Sequence, residues 1–329
     1  MWTHRSRIAR LVLAGCAAAA CATLSPASAA YPEKPIRLVV PFPPGGAVDG
    51  YARIVQPALS RELGQTVVVE NRTGASGMIG SEAVARAPAD GYTLLLGNIA
   101  TFAINVGIYK KMPYDPIRDL APIAKTVAVN YVLVVNPKVP ARNAAELVAY
   151  AKAHPGKLTY GSSGSGSAQH MAAELFKART GTQILHIPYK GTGELIADLL
   201  AGHVDMIFAD QGTMMQQVSA GKLRVLGVCG PQRSADYPDI PTVAEAAGIP
   251  GFEVVAWQGL AAPAGTSADV VRRINAAINK IQADPAIRRQ INQAGLTPDS
   301  GTPEEFRRYV EAEIGKWSKL ARDVGATVD

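Results

Sequence analysis

Short apolar runs that alternate with helix-period stretches constrain this chain more than any other feature. Ile36 to Val40 is of strand type and is halted by Pro41 and the Pro-Gly cluster to Gly46; Val48 to Leu63 then repeats with helical period. Val67 to Val69 is a second strand, followed by a Gly-rich turn and a helix from about Gly77 to Arg86. Thr93 to Leu96 is a third, ending at Gly97-Asn98. Strand, loop and helix in repetition predict βα units around a parallel sheet, an α/β fold.

A second series begins after Pro122. Val127 to Val135 is a long Val-rich run, Asn143 to His154 is helical, and Leu158 to Tyr160 is a strand that runs into a Gly/Ser loop at 161–167. A helix from about Ala168 to Arg179 comes next, then strands at Ile184–Ile187, Val204–Phe208 and Leu223–Val228. Helices at about 191–201 and 213–220 link them, and Val254 to Leu260 is the last strand. The tail is helical over Ala268–Ala283, Pro285–Gln293 and Pro303–Val324, with Thr302 placed to cap the last helix and Pro303 in its first turn. Two series predict two lobes with junctions near Ala128 and Val254, and a ligand cleft between them.

The N-terminus reads as an export signal. Arg5, Arg7 and Arg10 precede any acidic residue, a small apolar run covers Leu11 to Leu24, and Ala27-Ser28-Ala29 is the pattern a signal peptidase cuts. Residues 1–29 are therefore expected to be cleaved. Leu13-Ala14-Gly15-Cys16 resembles a lipidation box and makes lipidation at Cys16 the lesser alternative, because the apolar stretch from Arg10 to Cys16 is very short and an A-x-A site follows. Cleavage takes basic residues from 33 to 30 against 27 acidic, so the formal charge falls from +6 to +3. No later Lys/Arg run reaches five residues, so the pI of 9.2 carries no nucleic-acid footprint. Of Cys16, Cys21 and Cys229, only Cys229 stays in the mature chain, which excludes an intrachain disulfide.

Three loops could carry chemistry. Phe42, Pro43, Pro44, Gly45 and Gly46 lie between a strand and a helix start, where backbone N–H groups and the helix dipole suit an anion. The Gly/Ser loop offers Ser162, Ser163, Ser165 and Ser167 at a second helix start. Asp210 ends a strand and could cap the next helix or accept from a solute's ammonium, amide or hydroxyl; Asn98 and Thr101 hold the equivalent place in the first lobe, with capping as the plain alternative. Asp49 and Arg53 fit one helix face as an ion pair. His154, His170, His186 and His203 have no metal-binding spacing, and no cofactor fingerprint is present. Asn71-Arg72-Thr73 is an accidental sequon. The competing function is an exported serine hydrolase using Ser163 or Ser165 with His170 and Asp205, although the Gly-x-Ser-x-Gly elbow spacing fails.

Several stretches together carry a family resemblance. They are Pro-Ile-Arg-Leu-Val-Val-Pro-Phe-Pro-Pro-Gly-Gly at 35–46 with Asp49 and Arg53, Val-Val-Glu-Asn-Arg at 68–72 and Ala-Asp-Gly-Tyr-Thr-Leu-Leu at 89–95. Tyr-Gly-Ser-Ser-Gly-Ser-Gly-Ser at 160–167, Pro-Tyr-Lys-Gly at 188–191, Gly-Lys-Leu-Arg at 221–224 and Pro-Asp-Ile-Pro-Thr-Val-Ala-Glu-Ala at 238–246 complete the set. In these the chain resembles the Bug receptors, the extracytoplasmic solute-binding proteins of tripartite tricarboxylate transporters.

The resemblance implies a two-lobed periplasmic binding protein, type II-like and flytrap-like, that closes over a small carboxylate without turnover. One lobe would comprise residues 30–128 and 255–329, the other 129–254. Phe42 to Gly46 would hold the carboxylate partly through ordered water, Ser162 to Ser167 would meet it from the second lobe, and Asp210 would face its distal part. The expected solute is a dicarboxylate, an amino acid or an aromatic acid; the expected partners are membrane transporter subunits or a sensor kinase, with no cofactor, metal or nucleic acid, and the expected state is a monomer. Two departures stand out. Phe102 replaces a His common in relatives, which points to a more apolar pocket, and a Pro common near Gln217 is absent, which points to an altered lid or hinge.

Overall fold

In the computed structural model, residues 31–234 and 236–327 are described. The expected export signal, residues 1–29, lies outside them. From Lys34 onward the chain is one compact unit. Strand β1 (Ile36–Val40) is buried on both faces apart from Arg37, as its near-continuous apolar run requires. It pairs in parallel with β2 (Val67–Asn71) and β3 (Thr93–Asn98). Helices α1 (Ala47–Leu63) and α2 (Met78–Ala85) make the crossovers, right where the 3.6-residue period placed them.

The element that joins the lobes is β4 (Leu120–Val135), 16 residues long. At about 3.3 Å per residue such a strand spans roughly 50 Å, enough to cross both lobes. Its first part pairs antiparallel with β9 (Val255–Pro263), the last partners being Asn130 and Val255. From Tyr131 onward it pairs instead with β7 (Met206–Asp210) and, from Val132, with β8 (Arg224–Val228). Two sheets result: β2-β1-β3-β9-β4 with a short β10 (Thr297–Pro298) on β4, and β4-β7-β5-β6 with β8 on the other side of β4. Strands β5 (Thr159–Ser162) and β6 (Leu185–Pro188) complete the second sheet, joined by α4 (Ala144–Ala153), α5 (Ala168–Thr180), α6 (Thr192–Ala201) and α7 (Gln211–Ser219).

The fold is α/β and two-lobed, as expected. β4 begins well before Val127, because the strand continues through Pro122, where its pairing shifts register in a manner that accommodates a residue without an N–H. Three pieces were not anticipated: a π-helical turn at Ala100–Ile104 running into α3 (Asn105–Ile108), the short α8 (Val243–Ala247), and β10.

Each lobe has its own core. In the second, Val132 and Val134 of β4 pack with Leu195, Leu199, Ile207 and Met214. In the first, Phe102, Trp257 and Phe306 form an aromatic cluster, with Phe102 stacked 5.8 Å from Trp257 and edge-on to Phe306 at 5.5 Å. Glu313 on α11 (Pro303–Val324) is buried and accepts from both Trp257 Nε1 (3.0 Å) and Trp317 Nε1 (2.9 Å). Helices α9 (Ala268–Ala283) and α10 (Pro285–Gln293) return to this lobe beside α1. Thr302 and Glu305 form a capping box on α11 with Pro303 in its first turn.

Candidate functional site

The loop after β1 is held in shape by a carboxylate beneath it. Asp49 is 2% exposed, and its Oδ2 accepts from the Gly45 N–H (2.9 Å) and from Arg53 Nε (2.8 Å). Asn71 Nδ2 donates to Asp49 Oδ1 (2.9 Å) and to the Phe42 carbonyl (3.1 Å), tying the end of β2 to the loop. Burial alone would raise the Asp49 pKa, but the bonds from Arg53, Gly45 and Asn71 outweigh it, so the carboxyl titrates below its usual range. Gly45 has φ +82°, which only glycine adopts freely. Pro43, Pro44, Gly45 and Gly46 are exposed and Phe42 is half-buried. Gly46 caps α1 without any side-chain bond, so the first N–H groups of that 17-residue helix are left for a ligand or solvent.

Asn98 and Thr101 satisfy each other. Thr101 Oγ1 accepts from the Asn98 N–H (3.0 Å) and donates to the Asn98 carbonyl (2.9 Å), while Asn98 Oδ1 accepts from the Ala100 N–H (3.0 Å). Thr101 is fully buried, and its methyl, with the Phe42 ring, closes on Gly77, where a Cβ would stand 2.6 Å from Thr101 Cγ2 and 3.0 Å from Phe42. Phe42 and Thr101 thus share one packing contact, while Asn98 stays half-buried. Phe102 does not make the pocket more apolar: it is 2% exposed and belongs to the aromatic core described above. Gln258 of β9, in register with Asn98 and 1% exposed, has neither amide atom hydrogen-bonded among the described residues.

The serines of the second loop fall into two pairs. Ser162 is fully buried and donates to the Gly164 carbonyl (3.0 Å), and Ser167 caps α5 by accepting from the His170 N–H (3.3 Å). Ser163 and Ser165 are half-buried, and among the described residues their hydroxyls take no hydrogen bond. Gln169 Oε1 accepts from the Ser163 N–H (2.7 Å) and fixes the bend. Gly164 (φ +116°) and Gly166 (φ +82°) supply the left-handed backbone.

The loops of the two lobes touch. Ser76, in a turn where Gly74, Ala75, Ser76 and Gly77 all have positive φ, donates to the Ser165 carbonyl (3.4 Å) and lies 3.1 Å from the Tyr109 hydroxyl. Asn105 Nδ2 donates to the Ser76 carbonyl (3.1 Å). Two non-glycine residues in left-handed backbone cost of order 1 kcal/mol each, a strain that clusters at ligand clamps. The sequence reading missed Ser76, Asn105 and Tyr109; the signal available was Gly74-Ala75-Ser76-Gly77 after a strand.

Asp210 ends β7 opposite Tyr131 and caps α7, accepting from the Thr213 N–H (3.0 Å). A cavity of about 900 Å³ opens at the lobe junction, lined by Asn130, Gln211, Gly212, Met215, Arg233 and Leu296 among others. It starts one residue beyond Asp210 and takes in none of the twelve residues singled out from the sequence. α7 runs unbroken through Gln217.

The hydrolase constellation is not assembled. His170 Nδ1 accepts from the Gly166 N–H (3.3 Å), and Asp205 accepts from the Thr159 N–H and hydroxyl (2.8 and 3.0 Å). The Ser–His contact that does exist joins Ser162 Oγ to His186 Nε2 (2.6 Å), on a serine with no exposure. Cys229 is buried, which pushes its thiol pKa up and away from reactivity. Among the described residues no group of three or more His, Cys, Asp or Glu side chains could hold a metal ion, and no helix is long and apolar enough to cross a membrane.

Two βα lobes joined by a shared strand, each with a loop at a helix start, are the architecture of the flytrap class of solute receptors. Within that class the chain belongs to the tripartite tricarboxylate transporter family of receptors, whose family model matches residues 51–326. BugT of Bordetella pertussis is 38% identical over 297 residues, 90% of this chain and 91% of that protein. Rpa4515 of R. palustris, solved with adipate, has a TM-score of 0.83 at 36% identity, covering 90% of this chain and 98% of that one. MatC of Rhodopseudomonas palustris, solved with bound malate, has a TM-score of 0.80 at 29% identity, covering 88% and 99%. The protein is a solute-binding receptor and not an enzyme, and receptors of this family are periplasmic.

Proposed function

We propose that this chain captures a small organic carboxylate between a lobe of residues 30–128 and 255–329 and a lobe of residues 129–254. It acts as a periplasmic monomer after loss of residues 1–29, and delivers the solute to the membrane subunits of a tripartite tricarboxylate-type transporter. The observation that carries the reading is a pair of loops at helix starts, one in each lobe, the second of which meets Ser76 of the first lobe. One presents the uncapped N–H groups behind Phe42, Pro43, Pro44, Gly45 and Gly46; the other presents the free hydroxyls of Ser163 and Ser165. Such neutral donors bind a carboxylate without burying a cation and its desolvation cost. Arg37 and Arg53, the guanidiniums on either side of the first loop in sequence, are paired with Glu70 and Asp49. Ser162, Ser167, Asn98 and Thr101 shape the site from behind, through the bonds given above.

That two similar receptors were solved with adipate and with malate supports a dicarboxylate. Asp210 qualifies this: a carboxylate facing the distal end of the solute favours a hydroxyl, amide or ammonium there over a second bare carboxylate. The test is a thermal-shift screen of ligand-stripped protein against mono- and dicarboxylates, hydroxy acids, amino acids and aromatic acids. A true solute at 100 times its Kd adds about 2.7 kcal/mol of stability. Mass spectrometry of whatever the purified protein releases on denaturation identifies the solute directly, and a panel without a hit overturns the reading.

A further inference from the structure

Two histidines pack against the second-lobe loop, and solute binding assigns no role to either. The rings of His170 and His186 stack with centroids 4.4 Å apart and planes 28° apart, and Tyr160 stacks on His186 at 4.8 Å and 12°. His170 lies on α5 and His186 on β6, so the stack clamps the loop between the elements on either side of it.

The hydrogen bonds around the loop give each ring a task. Ser162 Oγ has one proton and donates it to the Gly164 carbonyl (3.0 Å). With that proton on the Gly164 carbonyl, its lone pairs accept from the Gly164 N–H (3.3 Å), and the 2.6 Å contact to His186 Nε2 calls for the His186 proton on Nε2; with the Ser162 proton on Nε2 instead, the roles reverse. The Gly166 N–H donates to His170 Nδ1 (3.3 Å), so that nitrogen carries no proton. Burial disfavours the charged form of both rings and lowers both pKa values, His186 to about 4. Glu174 opposes this, but its Oε1 already accepts from the Tyr160 hydroxyl (2.5 Å) and from Lys177 Nζ (2.6 Å). Gly166 is also where the loop meets the first lobe: a Cβ there would stand 3.5 Å from Ile108 and 3.8 Å from Asn105 Oδ1.

We propose that the stacked pair His170–His186 positions the second-lobe binding loop, His170 by accepting from Gly166 and His186 by donating to Ser162, so that Ser163 and Ser165 are presented in a binding-competent shape. Both are positioning residues rather than contacts to the solute, and the proposal rests on the reading of this loop as a solute-binding element.

The test compares His170→Phe, which keeps a ring but removes the acceptor, with His170→Asn, which keeps an acceptor near the place of Nδ1. In the ligand-free wild type at pH 7, nitrogen NMR shows both rings neutral with the proton on Nε2. Amide exchange at Gly166 rises at least tenfold in His170→Phe and returns to within about threefold of wild type in His170→Asn. Adipate affinity, used as the binding probe, falls about tenfold in the first variant and recovers in the second. A proton on His170 Nδ1, unchanged Gly166 exchange in His170→Phe, or faster exchange with unaltered adipate affinity would overturn the proposal. If the wild type binds no adipate, the affinity arm is run with malate, and if neither binds, tautomer and exchange still decide the role of the histidines. If His170→Phe does not fold, the wild-type tautomer and Gly166 exchange in His170→Asn decide it.

Discussion

At the scale of single residues, the loop after β1 depends on the buried carboxylate of Asp49. Asp49 holds Gly45, Arg53 and Asn71 at once, so Asp49→Ala leaves the donors of two part-buried hydrogen bonds and an exposed guanidinium without their acceptor. Removing the one acceptor these donors share costs about 2 kcal/mol, and the loop it shaped loses order with it. The expected result is a lower denaturation midpoint together with at least tenfold weaker solute binding, while Arg53→Ala, at an exposed side chain, costs less than about 1 kcal/mol. Equal costs in urea denaturation would refute this account of the network. Asp210 allows a cleaner separation of roles. Asp210→Asn keeps the cap on α7, because an Asn oxygen accepts from the Thr213 N–H as well as an Asp oxygen does. Stability should hold while preference shifts from solutes with a distal hydroxyl or amine toward plain dicarboxylates, read by calorimetry with malate and adipate side by side.

At the scale of elements, most of the fold was legible because its strands and helices are strongly periodic. Ala268–Ala283, Pro285–Gln293 and Pro303–Val324 begin and end where caps and apolar spacing put them. The early half of β4 was not legible, since Pro122 and Lys125 interrupt the apolar run and only pairing with β9 makes that stretch a strand. The π-helical turn at Ala100–Ile104 was hidden for a similar reason: its residues are all buried and show no helical stripe. β6 has a further consequence through His186. Its folded pKa of about 4 lies below the 6.5 of an unperturbed histidine, so the unfolded chain takes up the proton first. Stability from this group is therefore whole above pH 6.5, drains as pH falls toward 4, and then levels off. His186→Gln keeps a donor for Ser162 but does not titrate, so its denaturation midpoint should fall less between pH 7 and 4 than that of the wild type. Parallel slopes for the two proteins would show that His186 is not the group responsible.

At the scale of the whole molecule, the site is a set of long-range pairs, and these are what sequence spacing hides. Asn71 meets Asp49 across 22 residues, His186 meets Ser162 across 24, and Ser165 meets Ser76 across 89. Loop composition pointed to Phe42–Gly46 and Ser162–Ser167, but the partners that shape them come from other strands and, for Ser76, from the other lobe. A second meeting of the lobes lies at the junction cavity, where α7 crosses the end of α10. A Cβ on Gly212 would stand 2.6 Å from the Gly295 Cα, a backbone atom that cannot swing aside. Gly212 lies within a helix, where Ala is intrinsically better by about 1 kcal/mol. Gly212→Ala therefore sets a local gain against a clash between lobes. If closure over a solute needs this close crossing, the variant keeps or raises the melting temperature of its ligand-free form. Its solute affinity falls about tenfold, and its radius of gyration by small-angle X-ray scattering contracts less on adding solute than that of the wild type. A variant that melts early without solute and binds with normal affinity would instead make the glycine pair a fixed packing contact, indifferent to closure.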